Sequence, residues 1–243
     1  MSRSAKNCRG AKCKIVRPVL LLRCLSTFRF VCATSAQNRK SVLFTNYPRS
    51  KGTPKDAKIW EAARATSAEP TFFERIQIGR FKQAFLSGST GANNPVNHLW
   101  SEAEQQWGQP LAKSINCLVS IGTGEPTSKA FGSFLPEVWS TLEAISRDAE
   151  SSARHFLDNH LELTNEPLRY FRFNVTAGLG DVGLEEYKDI PLIASATDEY
   201  FEDREIHMKV EQLRVLLEKT ERNIINILVE RSTVGRDSKH IST

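Results

Sequence analysis

Gly88-Ser89-Thr90-Gly91-Ala92-Asn93-Asn94-Pro95 is the stretch from which the fold is read. Two glycines, two asparagines and a proline in eight residues mark a tight loop, because Gly and Asn tolerate positive φ and Pro fixes its own. Asn94 before Pro95 is a helix start: the amide caps free N–H groups, and Pro suits the first helical position. Val96, Leu99, Trp100, Ala103 and Trp107 follow at helical spacing and give one apolar face. Upstream, Ile76 and Ile78, then Phe81 and Phe85, predict two short strands joined around Gly79-Arg80. Strand, glycine loop and capped helix together describe a ligand-facing turn in an α/β domain.

Further segments extend the pattern. Ile59-Trp60-Glu61-Ala62-Ala63-Arg64-Ala65-Thr66-Ser67-Ala68, Pro70-Thr71-Phe72-Phe73, Cys117-Leu118-Val119-Ser120-Ile121-Gly122-Thr123-Gly124 and Tyr170-Phe171-Arg172-Phe173-Asn174 stand in order around the loop. With Gly91-Ala92-Asn93-Asn94-Pro95 they resemble the second half of the patatin-like phospholipase domain, in the form found in large multidomain fungal proteins. The resemblance covers roughly residues 28 to 217. It implies an α/β fold: a partial patatin-like three-layer arrangement, with a mostly parallel central sheet, flanking helices and the amino-terminal half of the domain missing. Residues 1–27 then form a basic, disordered appendage, 28–217 the partial domain, and 218–243 a helix extension that frays into a disordered tail from Ser232 on.

Patatin-like enzymes hydrolyse lipid acyl esters with a Ser–Asp dyad. The serine lies in G-x-S-x-G, and the aspartate in a D-G-G or D-G-A motif just before the G-A-N-N-P loop. Here that position reads Ser87-Gly88-Ser89, and G-x-S-x-G occurs nowhere in the 243 residues. A serine hydroxyl attacks an ester only when a neighbouring base takes or shares its proton. Ser87 is no base at neutral pH, so the resemblance implies a family fold without a competent dyad. The family's active-site loop maps onto Gly88, Ser89, Thr90, Gly91, Asn93 and Asn94.

Composition sets the outer bounds. Hydrophobic residues make up 40% and charged residues 25%, ordinary for a globular protein. The net charge of +5 hides a lopsided distribution. Residues 1–55 hold 13 Lys/Arg and no Asp or Glu, whereas the remaining 188 carry twenty basic against 28 acidic side chains. The acid-free head has the composition of a mitochondrial presequence; the alternatives are a disordered basic tail or a misread upstream exon. Nothing interleaves it with aromatics in a nucleic-acid pattern, so no nucleic-acid partner is expected. Val19-Leu20-Leu21-Leu22 is closed by Arg17 and Arg23, far short of the ~20 apolar residues that a membrane span needs. Five cysteines without C-x-x-C and histidines off zinc spacing predict neither a disulfide framework nor a metal site. Cys32 and Cys117 are expected as small buried hydrophobes in a reducing, cytoplasmic setting, with mitochondrial import as the alternative.

Along the chain, strands are expected at Phe28–Thr34, Ser41–Thr45, Ile115–Ile121 and Leu168–Val175, and a helix from Asp56 to Ser67. Leu135, Val138, Leu142, Ile145, Ala149, Ala153 and Phe156 predict one long amphipathic helix. His155 and His160 are five apart, not a helical ligand pair, and are expected on the surface. Gly178-Leu179-Gly180-Asp181-Val182-Gly183 satisfies G-x-G-x-x-G, but an internal Asp and the early Pro191 leave no pyrophosphate helix. No cofactor is expected. Strand-to-glycine turns at the carboxyl edge of a parallel sheet bind ligands in α/β proteins, which makes Gly122, Thr123 and Gly124 a candidate cleft rim; a plain βα turn explains them equally.

Three functions follow. In the first, a weak lipid hydrolase uses Ser89 or Ser87 with Asp181 or Glu125. In the second, a non-catalytic remnant binds a lipid or acyl ester in a surviving cleft, or a protein through an exposed sheet edge. In the third, the true transcript supplies an upstream G-x-S-x-G half.

Overall fold

The computed structural model describes residues 28–49, 57–107, 110–126, 134, 138, 148–180 and 182–237, with side chains to 222. The basic head, Asp56, most of the 127–147 stretch, Asp181 and the last six residues lie outside that set. The described residues divide into two compact units, one running through Pro95 and the other starting at Val96.

The first unit is a four-stranded sheet with two helices. Its strands are β1 (Phe30–Ser35), β2 (Ser41–Thr45), β3 (Ile76–Ile78) and β4 (Gln83–Ser87), in the order β2-β1-β4-β3. Every neighbouring pair is antiparallel, which corrects the expected mostly parallel sheet. Connection length is the reason for the two hairpin pairs, β1–β2 and β3–β4. Five residues join β1 to β2 and four join β3 to β4, enough for a hairpin but not for the crossover a parallel pair needs. Arg39 (φ 59°), Gly79 (φ 77°) and Lys82 (φ 48°) supply the left-handed turn positions.

Helix α1 (Ile59–Thr66) starts later than expected, at a Lys58 whose N–H donates to the Glu61 carboxylate at 2.6 Å. Its Ala65 lies on one sheet face with Ala33, Phe44, Ile78 and Phe85. Alternation along β1 and β2 sends Cys32 and Leu43 to the opposite face, where Ala92 of the single-turn helix α2 (Ser89–Ala92) joins them.

The second unit holds the parallel pairing. Strand β5 (Leu118–Ile121) runs beside β6 (Tyr170–Phe173) in the register Leu118↔Tyr170 through Ile121↔Phe173. The long connection between them contains α5 (Ala149–Asn159). Around the pair pack α3 (Val96–Trp107) and α4 (Leu111–Ser114), and the core gathers Val96, Trp100, Leu111, Leu118, Phe156, Leu163 and Tyr170. The helix expected to run unbroken from Leu135 does not. At Asp148 the backbone is extended (ψ 97°), and its carboxylate accepts from the N–H groups of Glu150 and Ser151, both at 2.9 Å. An N-cap inside an apolar periodicity starts a new helix there.

Two helices close the chain, α6 (Ile190–Glu202) with Pro191 in its first turn and α7 (Arg204–Asp237). At 34 residues α7 is about 51 Å long, and it continues through Ser232, past the point where fraying was expected. Arg214 bridges Glu211 and Glu218 along it, and Arg222 reaches Glu218 at 3.3 Å. Such solvent-exposed pairs add little to stability.

Candidate functional site

The turn that carries the family resemblance sits at the end of β4. Ser87 is paired with Ala33 of β1, is 6% exposed, and donates its N–H to the Ala68 carbonyl at 2.9 Å. Its Oγ accepts the N–H of Ser89 at 3.2 Å. Gly88 comes next because nothing larger fits: a Cβ there would lie 2.7 Å from the Cys32 carbonyl oxygen. That carbonyl belongs to the backbone of β1 and cannot rotate away. The Gly88 carbonyl then accepts from Gly91 and Ala92, winding α2. Thr90, Gly91 and Asn93 lie exposed, while Asn94 is buried before α3 begins at Val96.

Ser89 has an unexpected neighbour. Its hydroxyl donates to the Glu69 carboxylate at 2.5 Å, and Glu69 is only 8% exposed. Glu69 follows Ala68 in the loop after α1, and its carbonyl accepts from Phe72 and Phe73. Sequence reasoning passed over it, although an acidic residue between Ala68 and Pro70, in an otherwise small and apolar run, was a visible signal. Of the carboxylates weighed as partners for Ser87 or Ser89, Asp181 lies outside the described residues. Glu125 belongs to the second unit, where its N–H donates to the Val175 carbonyl at 2.8 Å.

A hydroxyl hydrogen-bonded to a buried carboxylate has half of what acyl transfer requires. The other half is a set of donors aimed at the developing oxyanion. At the end of β4 the chain offers the hydroxyl of Ser87, already engaged by the Ser89 N–H.

The second glycine turn, Gly122-Thr123-Gly124, follows β5. Its inner side is filled. The Asn174 side chain accepts the Gly124 N–H at 2.7 Å, and a Cβ on Gly122 would lie 2.1 Å from that same amide oxygen. A Cβ on Gly124 (φ 106°) would meet Leu179 at 2.9 Å. The Gly122 N–H bonds the Phe173 carbonyl, so the turn prolongs the pairing of β5 with β6. Behind it lies a polar cluster that sequence reasoning missed. Glu150 accepts from Arg172 and, at 2.9 Å, from Asn174, while Arg172 also donates to Ser120 at 3.1 Å. Burial pushes the Tyr170 phenol up from its ordinary value beside this cluster.

Some individual expectations fare differently. Cys32 and Cys117 are free thiols; Cys32 is buried and its pKa is pushed up to about 11 by burial, while Cys117 is half-buried and shifted in the same direction for the same reason. His155 is exposed, as expected. His160 is half-buried: its ring packs 4.3 Å from Trp100 and 4.6 Å from Phe156, centroid to centroid, while Nδ1 lies 3.5 Å from the Glu162 carboxylate. Periodicity could not show this, because His160 is the residue just past the end of α5 and the chain turns there. An apolar groove of about 450 Å3 lies between α7 and the segment before β6, lined by Leu168, Met208, Val215 and Leu216. None of the candidate site residues named from the sequence borders it. Among the described residues no group of three or more His, Cys, Asp or Glu is placed to hold a metal ion, and no helix is long and apolar enough to cross a membrane.

An α/β chain with a glycine–asparagine turn after a buried strand is the class that fold and site define. Comparison with known proteins adds the relationship. The chain is 27% identical to calcium-independent phospholipase A2-gamma of Oryctolagus cuniculus over 204 residues, which is 80% of this chain and 25% of that protein. The Mus musculus protein of the same name is 27% identical over 161 residues, and that of Rattus norvegicus 28% over 146. These matches cover 63% and 57% of this chain and 20% and 18% of the relatives. The chain thus spans about a quarter or less of the length of the relatives it matches. No family profile matches it. The similarity supports a distant relationship to a phospholipase, in keeping with the patatin-like resemblance of the turn.

Proposed function

We propose that the chain is a relative of the patatin-like lipid acyl hydrolases, corresponding to the carboxyl-terminal half of their domain, that faces lipid without cleaving it. The catalytic part of this reading rests on the sequence resemblance, which puts Ser87 where the family has its dyad aspartate; in support, Ser87 is a buried hydroxyl held by the Ser89 N–H. Loss of a base or nucleophile removes several orders of magnitude of rate. A G-x-S-x-G segment elsewhere in a longer protein would supply the nucleophile and still leave Ser87 opposite it. The phospholipase name of the relatives supports lipid as the ligand class.

The test is hydrolysis of phosphatidylcholine vesicles and of p-nitrophenyl butyrate by the purified full chain. The expected rate is that of buffer. Turnover that disappears in both Ser89→Ala and Glu69→Gln would overturn the proposal and assign the chemistry to that pair.

A further inference from the structure

Helix α6 is rich in apolar residues, yet none of its residues is buried. Its inner side rests on few contacts. The Tyr200 hydroxyl accepts the Asn174 N–H at 3.2 Å, just past the end of β6, and Ala196 and Tyr200 are half-buried on that side. A second stripe runs beside the first. Ile190, Ala194, Thr197 and Phe201 follow at spacings of four, three and four, so they share one face of the helix. Ile190 is 62% exposed and Phe201 45%. The Phe201 ring is steadied by its edge contact with Tyr200, 5.5 Å between centroids. Single exposed apolar residues need no explanation, but a row of them along one helix face marks a contact site.

Charge borders the stripe. Asp198 is four residues from Ala194 and three from Phe201, and Glu202 is four from Asp198. Both carboxylates therefore line the edge of the same face. With Glu199 they are the only charged side chains of α6, which has no Lys or Arg. Two copies of this helix laid face to face would set carboxylates against carboxylates, an arrangement that suppresses pairing. The face suits an occupant that is both apolar and basic.

The chain itself holds a segment of that chemistry. Residues 1–27 contain seven Lys/Arg and no Asp or Glu. Within them Val19-Leu20-Leu21-Leu22 stand between Arg17 and Arg23.

We propose that this face of α6 receives the basic head, residues 1–27, of a second copy of the chain. The apolar run of the head covers Ile190 and Phe201, while its flanking arginines meet Asp198 and Glu202 at the rim. An apolar centre supplies the buried contact, and the charges around it select the partner. This association uses no lipid or acyl chemistry and stands apart from the function proposed above.

The experiment is fluorescence anisotropy of a labelled peptide of residues 1–27, titrated under reducing conditions with the full chain at about 0.05 M and about 0.5 M salt. Sedimentation velocity of the full chain over a range of concentrations accompanies it. Binding is expected at low salt and should weaken by about tenfold or more at high salt. Ile190→Ser/Phe201→Ser and Asp198→Lys/Glu202→Lys are each expected to weaken it by about tenfold, with thermal unfolding midpoints close to that of the parent. A peptide with serine in place of Val19 to Leu22 should also bind about tenfold less tightly. The full chain should self-associate at low salt, and excess free peptide should dissociate it.

No binding of the peptide, or equal binding by the parent and both double variants, would overturn the proposal. Equal binding of the serine-substituted peptide would do the same, since simple charge attraction would then suffice. A full chain that stays monomeric at every concentration would remove the second copy. Self-association abolished by Ile190→Ser/Phe201→Ser but indifferent to salt and to Asp198→Lys/Glu202→Lys would replace the head by the α6 of the other copy.

Discussion

In the first unit a helix meets a sheet through alanines, Ala65 beside Ala33, whereas the second unit builds its centre from rings, with Trp100, Tyr170 and His160 around Phe156. The two glycine turns differ in the same sense. Gly88 is pressed onto the backbone of β1, so its turn is set by main chain against main chain. Gly122 and Gly124 are pressed onto the side chains of Asn174 and Leu179, so theirs is filled by groups that rotate. Small residues at the first site bring backbones together and leave hydroxyls and aromatics outside. At the second, glycine makes room for a polar side chain that closes the space. A glycine-rich turn after a strand is therefore weak evidence for a ligand until what occupies its concave side is known.

The largest effects should separate the two cores. Phe156 is fully buried and edge-packed on Trp100 at 5.5 Å between centroids. Phe156→Ala should destabilise the protein by about 3–5 kcal/mol, since a cavity of ring size cannot collapse among rigid neighbours. Ala65→Leu in the first unit acts in the opposite direction, by overfilling, and should cost about 1–3 kcal/mol. Urea unfolding of both variants checks the order. If Ala65→Leu proved neutral, the alanine interface would be loose rather than close-packed and the contrast between the cores would fail.

The turns should follow with smaller differences. Gly88→Ala drives a methyl to 2.7 Å from a strand carbonyl, and relief requires β1 to move; a loss of about 2–3 kcal/mol is expected. Gly122→Ala meets the Asn174 amide at 2.1 Å, closer in distance but against a side chain that swings away. The cost is then the hydrogen bonds of Asn174 to Gly124 and Glu150, about 1–2 kcal/mol. Chemical denaturation of the two variants, each alongside Asn174→Ala, sharpens the comparison: in the Asn174→Ala background Gly122→Ala should cost less than in the parent, the contact that remains being the Arg172 guanidinium at 2.7 Å.

The sequence made local features legible and left pairing partners obscure, for physical reasons. Ser41–Thr45 was readable to the residue because β-branched and aromatic side chains end at Asn46. The Val96 helix was readable because Asn94-Pro95 starts it. Strand direction was not legible from the apolar pattern, since alternation is the same in parallel and antiparallel sheets; only the short connections carried that information, and the family resemblance outweighed them. The break at Asp148 was hidden by apolar residues that stay in phase on both sides of it. The Ser89–Glu69 pair escaped because its members are 20 residues apart and meet only once α1 and its loop fold over the sheet. Sequence spacing names the hydroxyl but not the carboxylate that tertiary structure delivers to it.

The smallest expected effect distinguishes the units by their thiols. Cys32 lies on β1 under Gly88, and burial raises its pKa to about 11, above the 9.0 of an exposed thiol. A raised folded-state pKa means that the native state favours the protonated thiol. Its stabilising contribution is therefore complete below pH 9 and fades as pH climbs toward 11, when the unfolded chain ionises first. Cys117, half-buried in the second unit, shifts in the same direction from a more accessible position. Iodoacetamide at pH 8 with peptide mass mapping should modify Cys117 well before Cys32, because thiolate fraction and access both favour it. Cys32→Ala should flatten the decline in stability between pH 9 and 11 by more than Cys117→Ala does. Rapid alkylation of Cys32 under native conditions would mean that β1 opens at Gly88, and the main-chain packing that sets the first turn apart from the second would be lost with it.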